Sequence, residues 1–140
     1  MKFNSLLIAF VLLSLIFSPE VIGKQVEKRV VFPKGKTTVS YTGKLPKAYA
    51  DYDAYILKAK KGQTITVKLT TDDPSASFAI YETENLGPSE DQIVGQDAQK
   101  RTFSGKLPIT SEYAVQIYGP NSFESGEGTG ASYTIEITLK

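Results

Sequence analysis

Residues Asp51 to Leu69 read DYDAYILKAKKGQTITVKL, and apolar and polar side chains alternate along both arms of this segment. A two-residue period is typical of β-strands, in which successive side chains point to opposite faces. The arms are separated by Lys60, Lys61 and Gly62, and glycine readily adopts the positive φ that many short turns require. The segment therefore predicts a β-hairpin with one apolar face on each strand.

Similar alternation recurs at regular intervals along the rest of the chain, and no segment after the N-terminal apolar run has the period of an amphipathic helix. The predicted strands are Arg29–Phe32, Thr38–Leu45, Tyr52–Ala59, Thr64–Thr70, Ser77–Tyr81, Gln99–Leu107, Tyr113–Tyr118 and Ser132–Leu139. About eight antiparallel strands predict an all-β fold, either a single-domain β-sandwich or a jelly-roll-like arrangement.

The N-terminus has the pattern of a secretory signal. Lys2 precedes an apolar run from Leu6 to Phe17, which is shorter than the roughly 20 residues of a membrane span. Val21 and Gly23 offer a small-residue cleavage site. We therefore predict a signal peptide at residues 1–23, a β-sandwich domain at residues 24–140, and a periplasmic or secreted protein without a membrane span. The chain has no cysteine, so its core must stabilise it without disulfides.

Charge is distributed unevenly along the exported part. Residues 24–70 contain eleven Lys and Arg against three acids, whereas residues 71–140 contain four against eleven. Either the two halves neutralise one another in the folded protein, or an acidic surface meets a basic partner. Nucleic acid is not an expected partner, because the lysines are scattered over strand faces and only two arginines, Arg29 and Arg101, are present.

The composition argues against an enzyme. The sequence has no histidine, cysteine or tryptophan, so the usual pairs of nucleophile and base and the imidazole or thiolate metal sites are missing. No cofactor is expected. Calcium is an alternative, because acidic groups supply hard oxygen ligands, although their spacing matches no defined calcium loop. The candidate ligands are Asp51 with Asp53, Asp72 with Asp73, and Glu124 with Glu127.

One short motif occurs twice. Residues 41–46 read YTGKLP and residues 103–108 read FSGKLP. Proline ends a strand because it cannot donate to the ladder, and glycine within a strand marks a bulge or a close approach. We interpret the repeat as two structurally equivalent corners of a two-sheet fold.

Two long loops are predicted, at Glu82–Asp97 and at Gly119–Gly130. Tyr118 and Phe123 flank or lie in the second loop, where exposed aromatic side chains often anchor a partner. Asn121 and Glu124 offer hydrogen-bonding groups beside them. The predicted contact residues are Tyr118, Asn121, Phe123 and Glu124.

The sequence contains an ordered series of motifs, which are RVVFPKG at residues 29–35, YTG at 41–43, DYDAY at 51–55, AKKGQ at 59–63, GKLP at 105–108 and the strands of Tyr113 and Tyr133. This series resembles the periplasmic inhibitors of g-type (goose-type) lysozyme. The resemblance implies a small exported β-sandwich whose surface loops enter the active-site cleft of a lysozyme, which is bound and not cleaved. The family usually carries arginines in the loop before the last strand, whereas residues 118–130 contain none.

A second function is compatible with the same scaffold, since fold alone does not fix a partner. The chain could be a non-inhibitory exported β-sandwich module that binds glycan or envelope partners, with calcium as a stabilising ion. The edge strands of such a fold also allow a homodimer.

Overall fold

The computed structural model describes residues 26–47, 51–83, 92–94, 101–119 and 130–140, with the backbone alone at 92–94. The described strands are β1 (Glu27–Arg29), β2 (Thr38–Lys44), β3 (Tyr52–Ala59), β4 (Thr64–Thr71), β5 (Ser77–Glu82), β6 (Gln92–Val94), β7 (Thr102–Lys106), β8 (Ser111–Tyr118) and β9 (Ser132–Leu139). Among these residues there is no helix with the length and apolar character of a membrane span. The predicted signal peptide at residues 1–23 lies outside the described residues.

The strands form two sheets that enclose one core. One sheet has the order β1-β3-β8-β5-β6 and the other has the order β2-β9-β4-β7. Every described pair of neighbours is antiparallel except β1 and β3, which are parallel. The predicted all-β sandwich is therefore confirmed, although its first strand, β1, pairs in parallel at an edge of the five-stranded sheet.

The predicted hairpin at residues 51–69 is wrong, although both of its strands exist. β3 pairs with β1 and β8, whereas β4 pairs with β7 and β9, so the two arms belong to opposite sheets. The turn between them crosses the edge of the sandwich, and Gly62 has a φ of 87° there. The apolar faces of the arms meet across the core because alternation specifies a strand without specifying its partner.

The core is built from the inward positions of both sheets. Burying one large apolar side chain stabilises the fold by about 1.5–3 kcal/mol. The largest core side chains, each at most 2% exposed, are Tyr55, Tyr113, Tyr133, Phe78, Leu45, Leu57, Ile65, Ile80, Leu107, Ile117, Ile135 and Ile137. The regular alternation of β4 and β9 in the sequence corresponds directly to this inward face.

Two predicted boundaries fail where the strands are short. The first strand was predicted at Arg29–Phe32 but lies at Glu27–Arg29, and Val31 is 71% exposed. The predicted loop Glu82–Asp97 contains β6, which pairs with β5 through an irregular register between Ile80 and Tyr81. A three-residue edge strand is too short to show a period in the sequence.

The repeated motif occupies equivalent positions, as predicted, but on the two outer strands β2 and β7 of one sheet rather than at corners. Leu45 and Leu107 are both buried, and their amides donate to carbonyls just before β9 and β4 respectively, at 2.8 Å. A Cβ on Gly43 or on Gly105 would lie 2.6 Å from an aromatic ring. The glycines therefore permit close approach of a ring.

Candidate functional site

The two predicted loops leave the sandwich at opposite ends. At the first end, Tyr118 is paired with Tyr52 and Ser77 across the sheet. At the second end, Glu82 is opposite Tyr113. β8 runs between these ends, and its eight residues span about 23 Å. We name them the Tyr118 end, where Gly119–Gly130 begins, and the Lys60 end, where the segment after Glu82 begins and the turn at Lys60 lies.

Tyr118 is not the exposed anchor that the sequence predicts, because it is only 9% exposed. Its ring packs against Tyr52 with the centroids 5.7 Å apart, and its hydroxyl donates to Oε1 of Gln116. Burial raises the pKa of the Tyr118 hydroxyl well above its ordinary range. Tyr118 thus fixes the start of the loop on the outer face of the five-stranded sheet. Asn121, Phe123 and Glu124 lie outside the described residues and stay predictions.

Both feet of this loop rest on the segment that follows β2. At Gly119 a Cβ would lie 2.2 Å from the backbone oxygen of Pro46, so only glycine fits. Gly130 has a φ of 63°, a conformation that glycine adopts without strain. The amide of Leu45 donates to the carbonyl of Ala131 at 2.8 Å. The loop therefore starts and ends at rigidly placed positions.

A buried polar network lies beneath these feet. The hydroxyl of Tyr133 donates to Oδ2 of Asp53 at 2.7 Å and lies 2.7 Å from the hydroxyl of Tyr55. The other carboxylate oxygen accepts from the amide of Val26 at 3.1 Å. Burial raises the pKa of Tyr133, and the hydrogen bonds with Tyr55 and Asp53 raise it further. The network joins the start of β9 to β3 and to the N-terminal strand.

A tight turn at residues 72–76 forms another wall of the Tyr118 end. The amide and hydroxyl of Ser75 donate to Oδ1 of Asp73 at 3.0 and 2.6 Å, the pattern of an Asx turn. Nη2 of Arg101 donates to the carbonyl of Asp73. The hydroxyl of Thr71 donates to the carbonyl of Ser132 at 2.8 Å. These contacts hold the turn against the first residue of β9.

A shallow polar groove of about 550 Å³ opens beside the turn, on the outer face of the four-stranded sheet. Nζ of Lys44 donates to the hydroxyl of Ser132 there, at 2.7 Å. The other lining residues include Thr42, Thr70, Asp72 and Thr134. The groove offers hydroxyls and one charged group of each sign, Lys44 and Asp72.

The predicted calcium ligands are not gathered in the described part of the chain. It contains no group of three or more acidic, His or Cys side chains that could hold a metal ion. Asp53 and Asp73 use their carboxylates within the protein, on Tyr133 and Ser75 respectively. Glu124 and Glu127 lie outside the described residues. Asp53 and Asp73 are thus structural residues.

The sequence did not reveal the residues that fix the loop. The sequence indicates Asp53 only as a calcium ligand and Pro46 only as the end of a strand. The pairing of Asp53 with Tyr133 joins residues far apart in the chain. Gly119 and Gly130, which bound the predicted loop, were the one available signal, since glycine at both ends of a loop often marks special backbone geometry.

Comparison with known proteins supports the resemblance drawn from the motifs. No protein-family model matches the sequence. The chain is similar to an inhibitor of g-type lysozyme from Escherichia coli strain K12. The two sequences are 28% identical over 145 residues, and the match covers 100% of each chain. The predicted resemblance is therefore confirmed over the whole chain and not only at the motifs.

Comparison with solved structures agrees with this sequence similarity. A periplasmic inhibitor of g-type lysozyme from Aeromonas hydrophila superposes with a TM-score of 0.69 at 25% identity, covering 84% of this chain and 98% of the other. The inhibitor from Salmonella Typhimurium superposes with a TM-score of 0.61 at 21% identity, covering 84% and 100%, and shows the shared fold. The predicted periplasmic or secreted location agrees with the Aeromonas hydrophila inhibitor, which is periplasmic.

Proposed function

We propose that this protein is an exported inhibitor that binds a lysozyme of the g-type. The observation that carries the proposal is the similarity to an inhibitor of g-type lysozyme, which extends over the full length of both sequences. A solved inhibitor of the same kind shares the two-sheet architecture. Similarity over a whole chain supports a shared role better than a shared fold alone, because one fold serves many functions.

We further propose that the Tyr118 end enters the active-site cleft of the enzyme. The two predicted loops leave the sheet about 23 Å apart, so a single cleft is better matched by one end than by both. The Tyr118 end has a loop with two fixed feet and a rigid turn beside it. Preorganised loops bind with a smaller loss of conformational entropy. In this proposal Phe123 is the apolar anchor, and Asn121 and Glu124 make hydrogen bonds.

Inhibition in this proposal requires binding without catalysis. The sequence has no histidine or cysteine, and the described carboxylates Asp53 and Asp73 already accept hydrogen bonds from within the protein. The protein would act by occupying the cleft. Homodimerisation through an edge strand is a separate expectation, which light scattering of the purified protein tests.

The direct test is the lysis of peptidoglycan by g-, c- and i-type lysozymes with and without the purified protein. We expect slower lysis by the g-type enzyme at micromolar inhibitor. If none of the three enzymes is slowed, the proposed function is wrong. A calcium-dependent rise in melting temperature without inhibition would instead support the glycan- or envelope-binding module.

A further inference from the structure

The Lys60 end carries a concentration of positive charge that the proposed function does not use. The exposed lysines at this end are Lys34, Lys36, Lys60, Lys61, Lys106 and Lys140. They come from the turn before β2, the turn between β3 and β4, the end of β7 and the residue after β9. Part of the charge asymmetry in the sequence thus becomes a spatial asymmetry.

Backbone hydrogen bonds join these segments into one continuous rim. The amide of Leu139 donates to the carbonyl of Thr37, and Thr64 and Lys140 exchange two bonds of 2.8 and 3.1 Å. Lys106 is paired with Thr64 from the other side. Next to this row, the amide of Gly62 donates to the carbonyl of Leu107 at 2.9 Å. The lysines therefore have fixed attachment points on a single surface.

The described residues do not neutralise the charge on this rim. None of the six lysines forms an ion pair in the part of the chain that the structure describes. Of the nearby carboxylates, Glu112 pairs with Arg29 at 2.6 Å, and the buried Glu82 accepts a bond from the hydroxyl of Ser111. In the sequence, Glu84, Glu90 and Asp91 follow this end, outside the described residues.

The opposite end has no such excess. Its described charged residues are the basic Lys44, Lys47 and Arg101 and the acidic Asp51, Asp53, Asp72 and Asp73. Among the described residues, the Lys60 end therefore carries an excess of positive charge and the Tyr118 end does not. The basic rim and the proposed lysozyme-binding end therefore face in opposite directions, so a partner bound at the rim lies away from the lysozyme.

A groove lies next to the lysines of the rim. It has a volume of about 670 Å³ and lies between the β3–β4 turn and the segment before β8. Lys58 and Lys60 line it together with Glu112, whose carboxylate pairs with Arg29, and Gln63 and Thr110 contribute polar side chains.

We propose that the Lys60 end binds the phosphate groups of anionic membrane lipids, and so holds the inhibitor at a membrane surface. Clustered lysines are attracted to anionic leaflets by a summed, non-directional field. Lysine acts on phosphate as a point charge, whereas arginine supplies the bidentate geometry typical of specific phosphate recognition. Only Arg29 lies near this end among the described residues, and it is engaged by Glu112. A diffuse anionic surface therefore fits better than a single defined phosphate site.

The test is co-sedimentation of the protein, purified in the form that the cell exports, with lipid vesicles. We expect binding to phosphatidylglycerol vesicles and none to phosphatidylcholine vesicles. Raising ionic strength from about 0.05 to 0.5 M should abolish binding, since the Debye length shortens to a few ångströms. Equal binding to both vesicles would overturn the proposal, as would binding to a single-stranded oligonucleotide with none to either vesicle.

Two matched variants locate the surface. Lys60→Gln with Lys61→Gln should lower the partition coefficient on anionic vesicles roughly tenfold or more. Lys28→Gln with Lys68→Gln removes the same charge away from this end and should change it less than about twofold. Equal effects of the two pairs would overturn the assignment. Because the Lys60 and Lys61 variant should inhibit g-type lysozyme normally, failure of either proposal can be recognised without the other.

Discussion

Asp53 shows how much one residue depends on its tertiary surroundings. Its side chain is 3% exposed, and its carboxylate accepts bonds from Tyr133 and from the amide of Val26. A buried carboxylate without donors would be strongly destabilising, whereas one with suitable donors can be retained. Asp53 thus connects β1, β3 and β9 beneath the loop at the Tyr118 end.

Tyr133→Phe should therefore destabilise the protein by about 1–3 kcal/mol, because it removes a buried donor and leaves Oδ2 of Asp53 without it. Tyr41→Phe is the matched control. The Tyr41 hydroxyl accepts one exposed bond of 3.4 Å from Val31, and its ring stacking on Tyr55 would be kept. Urea unfolding measures both variants. Equal losses would show that the Tyr133–Asp53 bond contributes nothing specific.

Alkaline pH should destabilise the protein through its buried tyrosines. Burial raises the folded-state pKa of Tyr55, Tyr113 and Tyr133 above the ordinary value of 10.0. Above that pH the unfolded chain loses these protons while the folded chain keeps them. The contribution of these tyrosines to the free energy of unfolding is therefore fully present below pH 10 and is lost as pH rises beyond it. We expect a falling free energy of unfolding above pH 10, with tyrosinate absorbance rising as the protein unfolds; a flat profile would contradict this.

At the scale of the element, β2 and β7 show why a motif recurs. Each is an outer strand of the four-stranded sheet, and each is followed by a buried leucine and then by an exposed or half-exposed proline. The glycine before that leucine lies beneath an aromatic ring, which belongs to the neighbouring β9 at Gly43 and to β7 itself at Gly105. Proline and glycine also limit further strand pairing at these edges.

Gly43→Ala should cost about 1–3 kcal/mol by overpacking. The new Cβ would lie 2.6 Å from Cζ and from the hydroxyl oxygen of Tyr133, whose ring is held in place by Asp53. Ser40→Ala, at an exposed position of the same strand, should change stability by less than about 0.5 kcal/mol. Thermal melts compare the two. A Gly43 variant as stable as the Ser40 variant would mean that the ring can shift.

At the scale of the whole molecule, the sandwich separates two surfaces of different character. The Tyr118 end has fixed loop feet and no excess of described positive charge, and the Lys60 end has a basic rim. Both follow from an arrangement in which β8 runs the full length of the sheet between them. The two proposals can be tested independently because they use opposite ends.

Inhibition should consequently be sensitive to the loop at only one end. Phe123→Ala with Glu124→Ala should weaken inhibition of g-type lysozyme by at least tenfold, as expected for loss of an anchor and a charged hydrogen bond at an interface. The melting temperature should not fall. Glu84→Ala with Glu90→Ala alters the segment after the other end and should leave potency unchanged. The reverse result would place the enzyme at the Lys60 end.

The sequence alone established the strands with long, regular alternation. Tyr52–Ala59 and Ser132–Leu139 were predicted with their exact bounds, because a side chain must face either the core or the solvent at each position. Motif order also indicated the resemblance to the lysozyme inhibitors. These features depend on local geometry and on the order of residues, which the sequence contains directly.

Only the tertiary structure decided which strands pair and what the polar residues do. β3 and β4 are adjacent in the sequence yet lie in opposite sheets, because alternation gives each strand an apolar face but not a partner. Tyr118 is buried although it borders a loop, and Asp53 meets Tyr133 across 80 residues of chain. Pairing and burial depend on which distant segments fill the space beside a residue, so they are properties of the assembled sheets.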